Sequence, residues 1–435
     1  MKNLTCPSPF EKGISMSFST TIQLFLVGCA IALPTLLHGQ GAWYGDQQTL
    51  WVQGESGSTP IVNLSTDLRA IARTASGGGW IAIEENNQLI HVDSSGAIIE
   101  VIDTVVGVQS LAIAASGHLW GTRPGLDDVI RIESGAGIVS THPVGSVPYG
   151  ISIDAEGHIW VSCSYANQVD RLDGSGEWLA TYPVGFFPTG ISAAAAGGVW
   201  VAEKGGLKRL SSTGEVLWSA TVGTFPIAVT TDLQGRAWFC CQTSNEVVVV
   251  GDQGVESVID VPHRPLGIGA NGDGSVTVVC HDGSSLVRIS AEFEIVSVDL
   301  VTNPNGHGDL TGLQRALLAD PLGDQDNDGM SNLEEAQFGF NPLDASSIPS
   351  VFIRGDTNRD GVVDLTDAIH ELLVLFGVET SPCLEALDVD DDSRLTLGDP
   401  IRILDFVFSA GPAPAAPFPE YGPDPSPAQG FPCAP

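Results

Sequence analysis

Three segments beyond residue 320 place oxygen-bearing side chains at alternate positions, the arrangement a hard divalent cation requires. The first runs from Asp324 to Glu335 and offers Asp324, Asp326, Asp328, Asn332 and Glu335 at positions 1, 3, 5, 9 and 12 of a loop. Gly329 stands where the loop must turn sharply, and Met330 supplies a backbone carbonyl. The second offers Asp356, Asn358, Asp360, Asp364 and Asp367, with Gly361 at the turn and the carbonyl of Val362. The third offers Asp388, Asp390, Asp392, Thr396 and Asp399, with the carbonyl of Arg394. In this loop Ser393 replaces the turn glycine, which strains the backbone. All three predict bound Ca²⁺.

The last two loops are each followed by an amphipathic stretch, Ala368–Phe376 and Pro400–Phe408, that predicts a short helix. Without cation the carboxylates of each loop repel one another, and two short helices bury too little surface to order the segment alone. Calcium is therefore expected to act as a folding ligand, at the roughly 10⁻⁴–10⁻³ M affinity usual for extracellular modules. Whether it only folds the tail or also readies it for docking is open at this level.

The charge balance agrees. The chain of 435 residues carries 52 acidic against 18 basic residues, a net charge of −34. From Asp309 onwards there are 23 acidic and 5 basic residues. So acidic a chain repels nucleic acid and anionic lipid and favours cations or basic surfaces. At the N-terminus Lys2 and Lys12 precede an apolar run from Ile22 to Leu37, then Gly39, Gly41 and Ala42. Positive, apolar and small segments in that order predict a secretory signal peptide over 1–41, with no transmembrane segment in the mature chain. Leu26-Val27-Gly28-Cys29 also fits a lipoprotein box that would anchor the chain at Cys29. That is the lesser reading, because apolar sequence continues past the cysteine.

The elements that must carry these loops are read from a repeat. A glycine turn, an aliphatic residue and a tryptophan recur about every 40 residues. They stand at Gly79-Trp80, Gly117-His118-Leu119-Trp120, Gly157-His158-Ile159-Trp160, Gly197-Gly198-Val199-Trp200 and Gly235-Arg236-Ala237-Trp238, with a weaker copy at Gly274-Ser275-Val276-Thr277. Units open alike, at Pro148-Tyr149-Gly150-Ile151, Pro188-Thr189-Gly190-Ile191, Pro226-Ile227-Ala228-Val229 and Pro265-Leu266-Gly267-Ile268. Several short strands per unit predict an all-β propeller over 42–315, with the tryptophans packed between blades. Six units fill Leu68–Val301. A seventh is divided between Thr49–Leu64 and Pro304–Asp309, so seven blades are expected, with six the alternative. A small α-helical, EF-hand-like module follows: a calcium segment at 318–350, a two-loop domain at 351–412 and a Pro-rich end at 413–435.

The blade pattern, fitted nearly throughout by Pro148–Arg171, resembles the NHL-repeat and virginiamycin B lyase-like propellers. That resemblance implies a histidine base and a magnesium held by acidic side chains just after the Trp-containing strand. At those sites this chain has Glu203 but also Cys163, Cys241 and Cys280, so lyase activity is not expected. The first acidic loop with Phe338–Pro342 resembles thrombospondin type-3-like calcium repeats. Gly355–Gly361 and the duplicated loop-helix unit resemble a type I dockerin of the planctomycete kind. The dockerin resemblance implies a cohesin-like or other cell-surface partner, and a Cys383–Cys433 disulfide.

Loops before the first strand and after the second strand of a blade open on one face. They bring Tyr149, Tyr165, Phe186, Phe187, Glu203, Phe225, His263, Arg264 and His281 to the ring mouth. Such a set suits a glycan or a peptide, or else simply plugs the ring. The expectation is an extracellular or cell-surface, noncatalytic binding protein. The alternative is a polysaccharide-acting hydrolase or lyase in an extracellular assembly.

Overall fold

The computed structural model describes residues 41–422 apart from 47, 55–56, 65, 84, 252, 329, 339, 345–351 and 382. The expected signal peptide, Cys29, Cys433 and most of the Pro-rich end lie outside the described residues. Among the described residues seven sheets, antiparallel but for one added inner strand, form a ring of seven blades. Blades 1 to 6 are each built from consecutive strands, spanning residues 68–103, 111–143, 148–183, 188–220, 226–260 and 265–300.

Blade 3 shows why the repeat has its form. Its first strand, Pro148–Ile153, lines the channel, its second, Ile159–Cys163, is buried throughout, and its fourth, Trp178–Pro183, alternates with solvent at the rim. Asp154 closes the turn between the first two strands. Its carboxylate accepts the His158 amide at 2.8 Å and the Trp160 indole N–H at 2.7 Å. Blade 5 repeats this with Asp232, the Arg236 amide at 2.9 Å and Trp238 at 2.7 Å. In these two blades the aspartate satisfies the indole N–H of a fully buried tryptophan, whereas Trp43 is as deeply buried with no such partner at Nε1. Each tryptophan packs against the next blade: Trp120 with Ile151 and Ile153, Trp160 with Ile191 and Val199, Trp238 with Ile268 and Val276.

Blade 7 is composite, and it closes the ring. Trp43–Asp46, Thr49–Gly54 and Gly57–Asn63 come from the start of the described chain, and the innermost strand, Pro304–Asn305, comes from beyond blade 6. Asn305 pairs with Gly45 and Pro304 with Asp46. Joining both ends of the array in one sheet removes the free edges that would otherwise pair with other chains. The next strand, His307–Asp309, pairs parallel to Leu68–Arg73 inside the channel. The chain then crosses the channel, burying Leu310, Leu313 and Ala316 completely.

Three helices follow: α1 (Asn332–Phe338), α2 (Leu365–Leu375) and α3 (Gly398–Ser409). Ala368, Val389 and Ile403 form a small core between α2 and α3. A second cluster of Phe352, Cys383, Ala386 and Leu387 lies beside it. Cys383 is disulfide-bonded. Arg354 ties the module together from within, fully buried. Its guanidinium donates to the Ala416 and Asp388 carbonyls at 2.7 Å and pairs with Glu385 at 3.5 Å and Asp391 at 3.2 Å. No described helix is long and apolar enough to cross a membrane.

Candidate functional site

The ring mouth holds a cavity of about 510 Å³. Its wall is mixed. Tyr149, Phe187, Phe225, Ile227 and Leu266 are its apolar lining, and Asp67, Arg69, Gln242, Arg264, His281, Asn305 and His307 its polar lining. Of the residues expected at the mouth, Tyr149, Phe187, Phe225, Arg264 and His281 line this cavity. Tyr165 and Phe186 stand outside it, largely exposed, and extend its aromatic lining: Tyr165 and Phe187 rings are 5.7 Å apart, and Phe187 lies 6.2 Å from both Phe186 and Phe225. His263 does not line the cavity. Neither does Glu203, which is buried beneath the mouth, paired with Lys208 at 2.8 Å and accepting the Gly185 amide at 2.8 Å.

Phe187, Phe225 and Arg264 hold the backbone at φ of 54°, 56° and 59°, each directly before a proline. A side chain in that left-handed region costs roughly 1–2 kcal/mol per residue. Asn303, a residue that tolerates the region, holds the equivalent place before Pro304 at φ 44°. Val147, before Pro148, holds φ 55° without lining the cavity, so the conformation belongs to the blade opening, and the repeat uses it to place Phe187, Phe225 and Arg264 at the mouth.

Asp67, Arg69, Gln242, Asn305 and His307 lie outside the set expected from the sequence, although register finds part of them. Arg69 and Asn305 occupy the place of Tyr149 in the unit opening, and His307 follows two residues later. Arg69 donates to Gln109 Oε1 at 2.7 Å. Burial, and then the Arg69 charge, push His307 down to about 4, so its imidazole is neutral at pH 7. His281 Nδ1 lies 3.0 Å from the Pro304 carbonyl.

The acidic loops form a second site. In the first, carboxylate oxygens of Asp324, Asp326 and Asp328 lie within 4.8 Å of one another. Glu335 on α1 has no exposed surface, and neither of its oxygens has a hydrogen-bond partner. The same is true of both Asp326 oxygens and of Asp328 Oδ2. Burial first, then the neighbouring carboxylates, push Asp326 up to about 6 and Glu335 to about 8. Buried acceptors with no donor fit a hard cation, which supplies the missing charge. Asn332 is placed otherwise. Its side chain accepts the Gln325 amide at 3.1 Å and donates to the Asp320 carbonyl at 2.8 Å, so it holds the loop's base.

The second and third loops are copies in detail. Asp356 accepts the amides of Asp360 at 3.0 Å and Gly361 at 2.9 Å, and Asp388 accepts those of Asp392 at 3.1 Å and Ser393 at 2.8 Å. Ser393, at φ 62°, takes the left-handed turn that Gly361 takes at 89°. Asp364 caps α2 while Asp367 accepts the Asp364 amide at 2.8 Å; Asp399 accepts the Thr396 amide at 2.9 Å. Asp388, Asp390 and Asp399 converge, and Asp390 also pairs with Arg402 at 3.0 Å. Val362, Arg394, Asn358, Asp360, Asp392 and Thr396 lie along the same two loops.

Sequence reasoning missed Glu371. It occupies on α2 the place that Ile403 holds on α3, four residues after Asp367 and Asp399, and it is completely buried with both oxygens unpartnered. Burial, then Asp399, Asp388 and Asp367, push it up to about 10. A carboxyl raised in the folded state contributes its stability below its ordinary value of about 4.3 and loses it as pH rises towards 10. In chelator, the tail should therefore weaken steadily as pH rises through this window. Glu371→Leu should flatten the slope and keep part of the helical signal that chelation removes from the wild type at pH 7, because it removes a buried acceptor with no donor, read by far-UV circular dichroism across pH. An unchanged slope would show the carboxyl to be paired.

With this geometry in place, comparison with known proteins bears mainly on the ring. A model of the virginiamycin B lyase family matches residues 99–308, from the last strand of blade 1 to the ring-closing strands. Among solved structures, virginiamycin B lyase from Staphylococcus aureus is similar at 19% identity and TM-score 0.51, covering 55% of this chain and 87% of its own. A streptogramin B lyase is similar at 19% identity and TM-score 0.52, covering 61% and 91%. A functionally unknown protein from Desulfotomaculum acetoxidans is similar at 14% identity and TM-score 0.53, covering 62% and 98%. At these identities the likeness is one of fold. No curated protein matches the chain.

Proposed function

We propose that this is an exported, noncatalytic binding protein. The ring mouth takes a glycan or peptide, and Ca²⁺ orders a dockerin-like tail that attaches the ring to a cohesin-like or other cell-surface protein. The observation that carries the reading is the set of buried, donorless carboxylates: Asp326 and Glu335 in the first loop and Glu371 between the second and third. Asp324, Asp326, Asp328, Glu335 and the Met330 carbonyl would hold the first cation. The second and third loops would hold theirs through their alternate acidic residues. The cation supplies charge neutralisation and a folding constraint, and the chain's own residues do the rest.

At the mouth, three aromatic rings share the wall with two arginines and two histidines, which suits a ligand with flat apolar faces and charged or hydroxylated edges. Glycosidic hydrolysis calls for two facing carboxylates, and among the residues lining the cavity Asp67 is the one acid. The lyases to which the ring is similar carry a reaction in their names. Here Glu203, the acid at the corresponding place, is already paired with Lys208.

Glycan- and peptide-array binding together with a hydrolysis screen tests the reading. Binding without turnover is expected. Phe187→Asn should weaken binding at least tenfold while leaving stability within about 1 kcal/mol, because relief of backbone strain offsets lost ring packing. Turnover of any array glycan would instead favour the enzyme.

A further inference from the structure

Resting on the calcium reading of the first acidic loop, we propose that this loop is the lock of the propeller: a divalent cation held by Asp324, Asp326, Asp328 and Glu335 fixes the segment that closes the ring.

The closing segment does three things in sequence. Pro304–Asn305 completes blade 7, His307–Asp309 adds a strand inside the channel, and residues 310–319 cross the channel as a plug. The plug is stitched to blades all round the ring. The Trp43 amide donates to the Leu310 carbonyl at 2.8 Å, Thr311 Oγ1 to the Ala270 carbonyl at 2.6 Å, and Gln314 Nε2 to Thr230 Oγ1 at 2.8 Å. Asp309, itself buried, accepts the amides of Gly312 at 2.8 Å and Arg315 at 2.9 Å. Ala319 ends the plug against the core that blades 2 and 3 share.

The acidic loop is welded to this plug. Arg315 donates to Gln325 Oε1 at 2.8 Å and pairs with Asp320 at 3.1 Å. Asn332, at the start of α1, donates its side-chain N–H to the Asp320 carbonyl at 2.8 Å and its amide to the Gly323 carbonyl at 2.8 Å. Beyond α1, Leu343 packs into the core shared by blades 5 and 6, and Asn341 lies so close to Gly272, in a turn of blade 6, that a Cβ there would collide with it. Loop and helix are thus clamped between the plug and the ring. Drawing Asp324, Asp326 and Asp328 towards Glu335 closes the loop onto α1, and so holds both ends of the clamp in register. Without a cation the mutual repulsion of the same groups is loaded directly onto the closing segment.

All nine tryptophans lie between Trp43 and Trp238, so tryptophan fluorescence reports the ring and not the tail. The test is thermal melting of the full mature chain in chelator and in calcium, followed by that signal, with calcium binding measured in parallel by calorimetry. Calcium at 100 times its Kd should raise the ring's Tm by about 5–10 °C. Glu335→Gln and Asp326→Asn should lose most of that increment, and Asp367→Asn and Asp399→Asn in the tail should keep it. Glu335→Gln replaces a buried, donorless carboxyl by a neutral amide of the same shape, so its chelated Tm should be no lower than that of the wild type, which shows that it folds. The proposal is overturned if the increment survives in both loop variants or is lost in the tail variants. It is also overturned if calcium binds with no change in the ring, an outcome that leaves the calcium reading standing. No calcium binding by the wild type would overturn both.

Discussion

Chelating calcium from the full-length chain is expected to melt α2 and α3 while the ring stays folded at room temperature. The 11 residues of α2 and the 12 of α3 meet through little more than Ala368, Val389 and Ile403, a core too small to hold them alone. Against that core stand Glu371, Asp367, Asp388 and Asp399, all buried and all raised above the usual carboxylate range by burial. One buried arginine, Arg354, offsets part of this charge at the third loop, through the Asp388 carbonyl and Asp391. Far-UV circular dichroism should lose the helical signal in chelator and regain it on adding calcium, and limited proteolysis should cut within 351–412 in chelator only. Helix content indifferent to calcium would contradict this.

A chain ended at Val301 is expected to lose the ring altogether, whereas one ended at Asp344 should keep it. The shorter chain lacks the inner strand of blade 7, which leaves Trp43–Asp46 as an open edge. It also lacks Leu310 and Leu313, both fully buried, each contributing roughly 1.5–3 kcal/mol, as well as the carbonyl that accepts the Trp43 amide. Set against a total stability of about 5–15 kcal/mol for an ordinary domain, those losses and the unpaired edge exceed what the remaining blades can absorb. Size-exclusion chromatography and tryptophan fluorescence should show aggregate for the shorter chain and a compact monomer for the longer. A compact monomer from the shorter chain would mean that six blades close by themselves.

The seven-bladed ring was legible because its repeat is chemical as well as periodic: Asp154 and Asp232 each close a turn and accept an indole N–H, and Trp160 and Trp238 recur because the next blade needs a filler. What stayed illegible was non-local. The Pro-x-Gly opening at Pro304 revealed the inner strand of the divided blade, but the strand Trp43–Asp46 was missed, because Gly41-Ala42 before it reads equally well as the small-residue end of a signal peptide. The plug is likewise invisible, since Leu310 to Ala319 is apolar in no period a blade would use. In the acidic loops, alternation located the carboxylates but not their division of labour. Asn332 serves the loop's base, Asp364 and Asp367 cap α2, and Glu371, which breaks an apolar position, declares itself only when α2 is laid against α3. At the mouth, the aromatic lining was visible through the Pro-x-Gly openings. Arg69 was not, because Leu68 replaces the proline there.

The most direct measurement is a calorimetric calcium titration of the full-length protein previously stripped by chelator. The account predicts saturable binding of one calcium per acidic loop, lost at the first loop in Glu335→Gln and at the second in Asp367→Asn. Absence of binding at millimolar calcium would contradict it.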